Sequence, residues 1–357
     1  MATLTTPEPT RHSEPTVKAQ RLAYLIWERP DLDKATAFFH DFGLVLAARR
    51  EDTLYFRAAN TAPYCCVVRL GTQARFVGLA LEVRDQKDLE HLAALPGAAP
   101  IEKLNTPGGG FVVRLQDPSG FLVEAICGQE SQDELPVDTS LPANCGSSIP
   151  RVNAGHRPAV APPTVMRLGH LVLELAEFQK TCTWYTSHFG FIPSDIEVLP
   201  DGSPAATFMR LNRGDTPTDH HSLALAQGIA PRFNHVAFEV ADINAIGMGQ
   251  RVLRRAGYGH AWGIGRHLLG SQIFDYWRDP WRDKFEHYAD GDVFTADTPT
   301  GITAAGGDTL SQWGPPLPSD FLRPEASIGL LVEAIRNVIS SPDLSIGKLR
   351  AMLKMVS

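Results

Sequence analysis

The chain has 357 residues, 43% of them apolar and 20% charged, with a formal net charge of −7. At roughly 150 residues per domain, that length predicts two or three domains of ordinary globular composition. The acidic balance argues against nucleic acid or an anionic membrane surface as the main partner, because both attract basic patches. No apolar run reaches the roughly 18 residues of a membrane-spanning helix. The first 20 residues lack the apolar stretch of a signal peptide. Five cysteines are an odd number, with no paired spacing beyond adjacent Cys65 and Cys66. A reduced, cytoplasmic protein without a disulfide framework is therefore expected.

In chain order, residues 1–18 are rich in Pro, Thr and Glu and read as a disordered leader. Residues 19–128 alternate apolar strand-like runs with polar helical ones. A strand begins at Leu22–Ile26, a helix ends at Phe42-Gly43, and a second strand spans Gly78–Val83. Gly108, Gly109 and Gly110 lack the spacing and lysine of a phosphate loop and read as a flexible turn. A further strand follows Asp117-Pro118 and carries Glu124. Residues 129–164 hold many Pro, Ser, Asn and Gly and read as a linker. Residues 165–292 return to the strand and helix pattern. Residues 293–325 again look irregular, and Ile328–Ile339 and Leu344–Met355 carry apolar residues at helical spacing.

The second patterned region repeats the first. Leu168–Val172 matches Leu22–Ile26, and Phe189-Gly190 matches Phe42-Gly43. His235–Val240 matches Gly78–Val83, and Asp279-Pro280 with Glu286 matches Asp117-Pro118 with Glu124. The offsets grow along the chain, as loop insertions in the second copy require. Each copy also halves into two strand–helix–strands units. The expected fold is α+β: two tandem domains, 19–128 and 165–292, each of two βαβββ units that curl into a cup with the helix on the outer face.

The copies differ where chemistry would be carried. His170 stands in place of Tyr24, His235 in place of Gly78, and Glu286 matches Glu124. A single strand histidine is usually a core or surface residue. Two at equivalent positions of paired units, with an acid on a later strand, form the ligand set of a non-haem Fe(II) site with open positions. Mn(II) is the second choice. The first copy has the same frame without the histidines and should bind no metal.

These residues resemble the vicinal oxygen chelate superfamily, and within it the type I extradiol ring-cleaving dioxygenases. The resemblance covers about residues 20–292 and is most specific from Gly265 to Asp292. It implies two such domains, with metal only in the C-terminal one. It also implies three catalytic residues. His221 is the second histidine of Asp219-His220-His221 and would be the acid–base. His267 would face the substrate pocket. Tyr276, nine residues after His267 and ten before Glu286, would hydrogen-bond the substrate oxygen deprotonated on the metal. His220 is expected to be a solvent-facing neighbour. The sequence departs from the family at Leu269 and Gly270, where a polar pocket residue is common. The stretch from Gly270 to Trp281, the stretch from Glu286 to Asp292, and Trp313-Gly314-Pro315-Pro316 resemble a subgroup that includes trihydroxytoluene oxygenases.

The implied reaction joins O2 to a catechol or trihydroxylated aromatic ring. A facial ligand set leaves adjacent positions for a chelating diol and for oxygen. An assembly of identical subunits is expected from the family, with the terminal helices packed on the body or on a second copy. Two other readings stay open. A glyoxalase-like isomerase or transferase would use two histidines and two glutamates and leave His221, His267 and Tyr276 without a role. A metal-free binding module would give His170 and His235 no purpose. His40 and His188 occupy corresponding helix positions and read as structural; His12, His156, Asp290 and Asp292 read as solvated or turn residues.

Overall fold

The structure is a computed structural model and describes residue 4 and residues 9–137, 142–306, 310–322 and 328–356. The first domain runs β1 (Arg21–Arg29), α1 (Leu32–Phe42), β2 (Val45–Arg50), β3 (Thr53–Arg57) and β4 (Cys66–Leu70). Its second half is β5 (Arg75–Glu82), α2 (Gln86–Ala93), β6 (Glu102–Lys103), β7 (Phe111–Gln116) and β8 (Leu122–Cys127). The second domain repeats this order. It runs β9 (Val165–Leu175), α3 (Phe178–Phe189), β10 (Ile192–Val198), β11 (Pro204–Arg210), β12 (Thr218–Asp219) and β13 (Leu223–Gln227). It continues with β14 (Arg232–Val240), α4 (Ile243–Arg255), β15 (Gly259–His267), β16 (Ile273–Arg278) and β17 (Lys284–Ala289). The chain ends with β18 (Val293–Phe294), β19 (Gly301–Ala304), β20 (Ser311–Trp313), α5 (Ile328–Ser340) and α6 (Ile346–Val356).

The strands form an eight-stranded sheet, β2-β3-β4-β1-β5-β8-β7-β6, and a ten-stranded sheet, β19-β10-β11-β13-β9-β14-β17-β16-β15-β20. In each, the first strands of the two halves pair antiparallel at the centre, β1 with β5 and β9 with β14. Two tandem α+β domains are thus present. Sequence cues set the local elements. The Asp31 and Asp85 side chains accept backbone N–H bonds at the starts of α1 and α2, and Asp242 does so for α4. Gly43 ends α1 at φ 103°, and a Cβ there would sit 2.0 Å from the Pro163 carbonyl oxygen.

Period-two alternation sorts each central strand into two faces. Leu25 and Trp27 of β1 join one large core with Phe38 and Phe42 of α1, Tyr185 of α3, and Phe238 and Phe285 of the second sheet. The helices lie on the outer faces of their own sheets as expected, and α1 and α4 also meet across the domain interface. Tyr24 and Ile26 point the other way and fill the first cup with Tyr55, Tyr64 and Val67.

Two expectations need correction. The segment from Thr16 to Ala19 is not a loose leader: Thr16, Val17 and Ala19 donate backbone bonds to Ser187, His188 and Phe189, and Val17 and Ala19 are buried. Residues 1–3 and 5–8 lie outside the described residues. Segment 293–325 contains β18, β19 and β20. These strands are two to four residues long, too short to show periodicity, and are held by pairing with existing strands.

The repeated Asp-Pro turns are exchanged across the domain interface. Asp117 accepts from Ser119 and Phe121 backbone N–H groups and from the Tyr185 hydroxyl of the other domain at 3.1 Å. Its counterpart Asp279 accepts from Arg29 of the first domain at 2.9 Å. Burial pushes the Asp117 carboxyl up to about 6, against the pull of its hydrogen-bond donors. A group raised in the folded state stabilises fully below its unfolded value near 3.9, and that contribution is lost as pH rises through about 6. Asp117→Asn removes this titration. The stability difference between variant and wild type should therefore shift by about 2–3 kcal/mol in favour of the variant between about pH 4 and pH 8. Denaturant midpoints at both ends test this, and a pH-independent difference would refute it.

Candidate metal centre

Strand register brings the predicted ligands together. His170 on β9 pairs with Ala237 on β14, which pairs with Glu286 on β17. His235 lies two residues before Ala237 and so points to the same face. Ligand atoms of His170, His235 and Glu286 lie within 4.8 Å of one another, and all three residues are buried. The row continues to Tyr276 on β16 and Trp262 on β15.

Glu286 is fully buried, with His170 Nε2 3.2 Å and His235 Nε2 3.6 Å from its carboxylate. Burial alone would raise its pKa, but the neighbouring histidines hold the carboxyl well below the ordinary range. Neither carboxylate oxygen has a hydrogen-bond partner. A buried carboxylate with no hydrogen bond to either oxygen, facing two imidazole nitrogens, is costly without a cation. The donor set, two nitrogens and one oxygen, fits a divalent transition metal.

Hydrogen bonds behind the ligands fix which nitrogen faces inward. Asn234 donates its amide to Glu174 at 2.5 Å, which leaves its oxygen to accept from His235 Nδ1 at 2.8 Å. The Nε2 lone pair of His235 is thereby directed at Glu286. Signals for this support existed in the sequence only as the adjacency of Asn234 and His235.

The three remaining candidates surround the same cavity, of about 140 Å³, with Phe208, Trp262 and Gln272 also in its wall. The His221 ring centroid is 4.1 Å from that of His170. His267 Nε2 lies 2.8 Å from the Tyr276 hydroxyl, and His267 Nδ1 lies 2.9 Å from the Leu310 carbonyl oxygen. A carbonyl only accepts, so Nδ1 carries the hydrogen, and in neutral His267 the Nε2 accepts from Tyr276. Burial and the nearby Glu286 push the Tyr276 phenol far up, so it stays protonated.

His220 corrects an expectation. It is 1% exposed, not solvent-facing. Its Nε2 bonds Asp195 at 2.7 Å and its Nδ1 lies 3.0 Å from Nδ1 of His221. Asp195 lies in β10 far back in sequence, so nothing local announced the pair.

Residues 167–287 match the model of the Glyoxalase/Bleomycin resistance protein/Dioxygenase superfamily. Metapyrocatechase 2 of Cupriavidus necator is 32% identical over 307 residues, which cover 83% of this chain and 89% of the relative. The chain belongs to the extradiol dioxygenases of this superfamily. Biphenyl-2,3-diol 1,2-dioxygenase of Pseudomonas sp. (strain KKS102) is 26% identical over 73% of this chain and 85% of its own. An extradiol ring-cleaving dioxygenase from B. fuscum shares the fold with a TM-score of 0.73 at 21% identity, over 89% of this chain and 85% of that one. A Mn(II)-bound glyoxalase from Novosphingobium aromaticivorans also has a TM-score of 0.73, at 22% identity over 88% and 97%.

In this dioxygenase the first domain shows what the frame does without histidines. Tyr24, Ala80, Glu124 and Arg114 occupy the row equivalent to His170, Ala237, Glu286 and Tyr276. The Tyr24 hydroxyl donates to Glu124 at 2.6 Å, and Arg114 donates to its other oxygen at 2.9 Å. A guanidinium and a phenol satisfy the carboxylate that Glu286 leaves open. At Gly78 a Cβ would lie 2.0 Å from the Leu122 carbonyl oxygen, so the backbone there cannot take a histidine without shifting.

Proposed function

We propose that residues 165–292 hold Fe(II) through His170, His235 and Glu286 and cleave a catechol-type ring there, while residues 19–128 form a metal-free copy. The observation that carries this is the buried Glu286 carboxylate, left without a hydrogen-bond partner opposite two histidine nitrogens. The reaction is extradiol cleavage: both atoms of O2 enter an aromatic diol, whose ring opens next to the diol. Bound iron would acidify a chelating diol and pass electron density from ring to oxygen, with Mn(II) the second choice.

The chain's own residues divide the proton work. Tyr276 donates to His267, so its oxygen can accept from the first substrate hydroxyl. On the opposite side, Asp195 accepts from His220 Nε2, which leaves Nδ1 of a neutral His220 to accept from His221 Nδ1. His221 then presents an unprotonated Nε2 to the cavity as a base for the second hydroxyl. Burial, then His170 and His220, hold the His221 pKa well below its ordinary value, which favours the neutral base. Phe208 and Trp262 give the cavity wall apolar surface. A cytoplasmic homo-oligomer fits this reading. No helix among the described residues is long and apolar enough to cross a membrane, and α5 exposes Leu331, Val332 and Ile339.

The test is anaerobic loading with Fe(II), then oxygen uptake and absorbance scanning with catechols and trihydroxybenzenes. The expected result is a yellow product with one O2 consumed per ring. Bound metal without uptake on any diol would overturn the reading in favour of a glyoxalase-like reaction.

A further inference from the structure

The metal cavity does not end at its own wall. A second cavity, of about 910 Å³, shares Glu197, Ala206, Ala226, Asn234, Leu310 and Leu322 with it. Register explains the opening. Val172 and His235 lie in a cross-strand row with Asp195, Phe208 and Ala224, and the next row on the same face is Glu197, Ala206, Ala226 and Glu174. The two alanines at the centre of that row leave a gap where larger side chains would close the cup. Beyond it the lining is aliphatic. Leu330, Ala334 and Val338 recur at four-residue steps on α5, so one stripe of that helix forms a wall, with Leu349 and Met352 of α6 beside it. The helix is held in place where Asn337 donates to the Ile229 carbonyl at 2.9 Å and Ser341 to that of Ala176 at 2.7 Å.

Charge narrows the class of occupant. Glu174 and Arg232 pair with each other at 2.5 Å. Glu197 is 6% exposed, and its side chain makes no hydrogen bond or ion pair among the described residues. It stands where the small cavity meets the large one, so an anionic substituent would pass a second buried carboxyl there.

We propose that the substrate is an aromatic diol bearing an extended, uncharged apolar substituent, with the ring at the metal cluster and the substituent across Ala206 and Ala226 under α5. This rests on the ring-cleavage reading and adds the substituent. A cavity of this size accommodates a chain of several carbons or a second ring.

The probes are catechol, 3- and 4-propylcatechol, 3- and 4-hexylcatechol, and 3,4-dihydroxyphenylacetate, with the Fe(II)-loaded full chain. Dissociation constants are measured without oxygen and kcat/KM with it. Each methylene that enters the cavity tightens binding by up to about fourfold, so one hexyl isomer should exceed catechol by at least ~30-fold. Ala334→Trp narrows the cavity from the half-exposed face of α5 and should lower the hexylcatechol-to-catechol ratio at least ~10-fold. Val338→Trp serves if that variant does not fold. Glu197→Gln should raise the kcat/KM of dihydroxyphenylacetate relative to hexylcatechol. Equal binding of catechol and both hexyl isomers, or preference for dihydroxyphenylacetate, overturns the proposal while leaving ring cleavage intact. No turnover of any diol by metal-loaded protein overturns the ring-cleavage reading itself.

Discussion

Glu286→Ala abolishes metal binding and ring cleavage together. Glu286 is the one anionic donor among the three residues that converge, and it is fully buried. Outer partners of metal ligands already cost 10–100-fold when removed, so loss of a ligand should weaken metal affinity by at least ~100-fold. The readouts are metal content per chain and thermal unfolding with and without Fe(II). In wild type, free metal at about a hundred times its Kd should add about 2.7 kcal/mol to the unfolding free energy. In Glu286→Ala the same concentration should add almost nothing. His170→Ala should behave alike. Glu124→Gln is the control: it alters the equivalent carboxyl of the first domain, where Tyr24 and Arg114 already fill the frame. It should leave the metal content unchanged. Full metal content in Glu286→Ala would sink the ligand assignment.

The convergence of His170, His235 and Glu286 was legible because the chain carries its own control. Aligning Tyr24 with His170, Gly78 with His235 and Glu124 with Glu286 isolates the chemically loaded positions, and strand register keeps such positions on one face. The fold was legible for the same reason, since period-two strands and the Phe-Gly helix ends repeat. What escaped depends on contacts between distant elements. His220 reads as polar and adjacent to a site, and only the approach of Asp195 on another strand makes it a buried link. Glu197 reads as one acid among forty aspartates and glutamates; only the pairing of its strand with β11 and β19 shows it set inside the sheet. The leader reads as disordered by composition, yet backbone pairing with Ser187–Phe189 orders Thr16–Ala19 whatever their side chains. Composition reports what a segment can bury by itself, not what a preformed edge can capture.

His221→Phe keeps the metal and loses turnover. The substitution preserves a planar ring beside Phe208 and His170, whose centroids lie 5.1 and 4.1 Å from that of His221. It removes the ring nitrogen proposed as the base for the diol. Loss of a positioned general base lowers rates by about 10²–10⁴, so kcat should fall by that order while Fe(II) content and diol affinity change little. His220→Phe separates base from support. His220 Nδ1 lies 3.0 Å from Nδ1 of His221, and a neutral His220 whose Nε2 donates to Asp195 would accept that hydrogen. Without it His221 keeps its place in the wall but loses the partner that fixes its tautomer, and kcat should fall on the order of tenfold. The loss should sit in kcat rather than KM, because both His220 ring nitrogens are engaged by Asp195 and His221 and His220 does not line the cavity. Normal turnover in His221→Phe would move the base elsewhere. A His220→Phe defect larger than that of His221→Phe would make His220 the base and His221 its spacer.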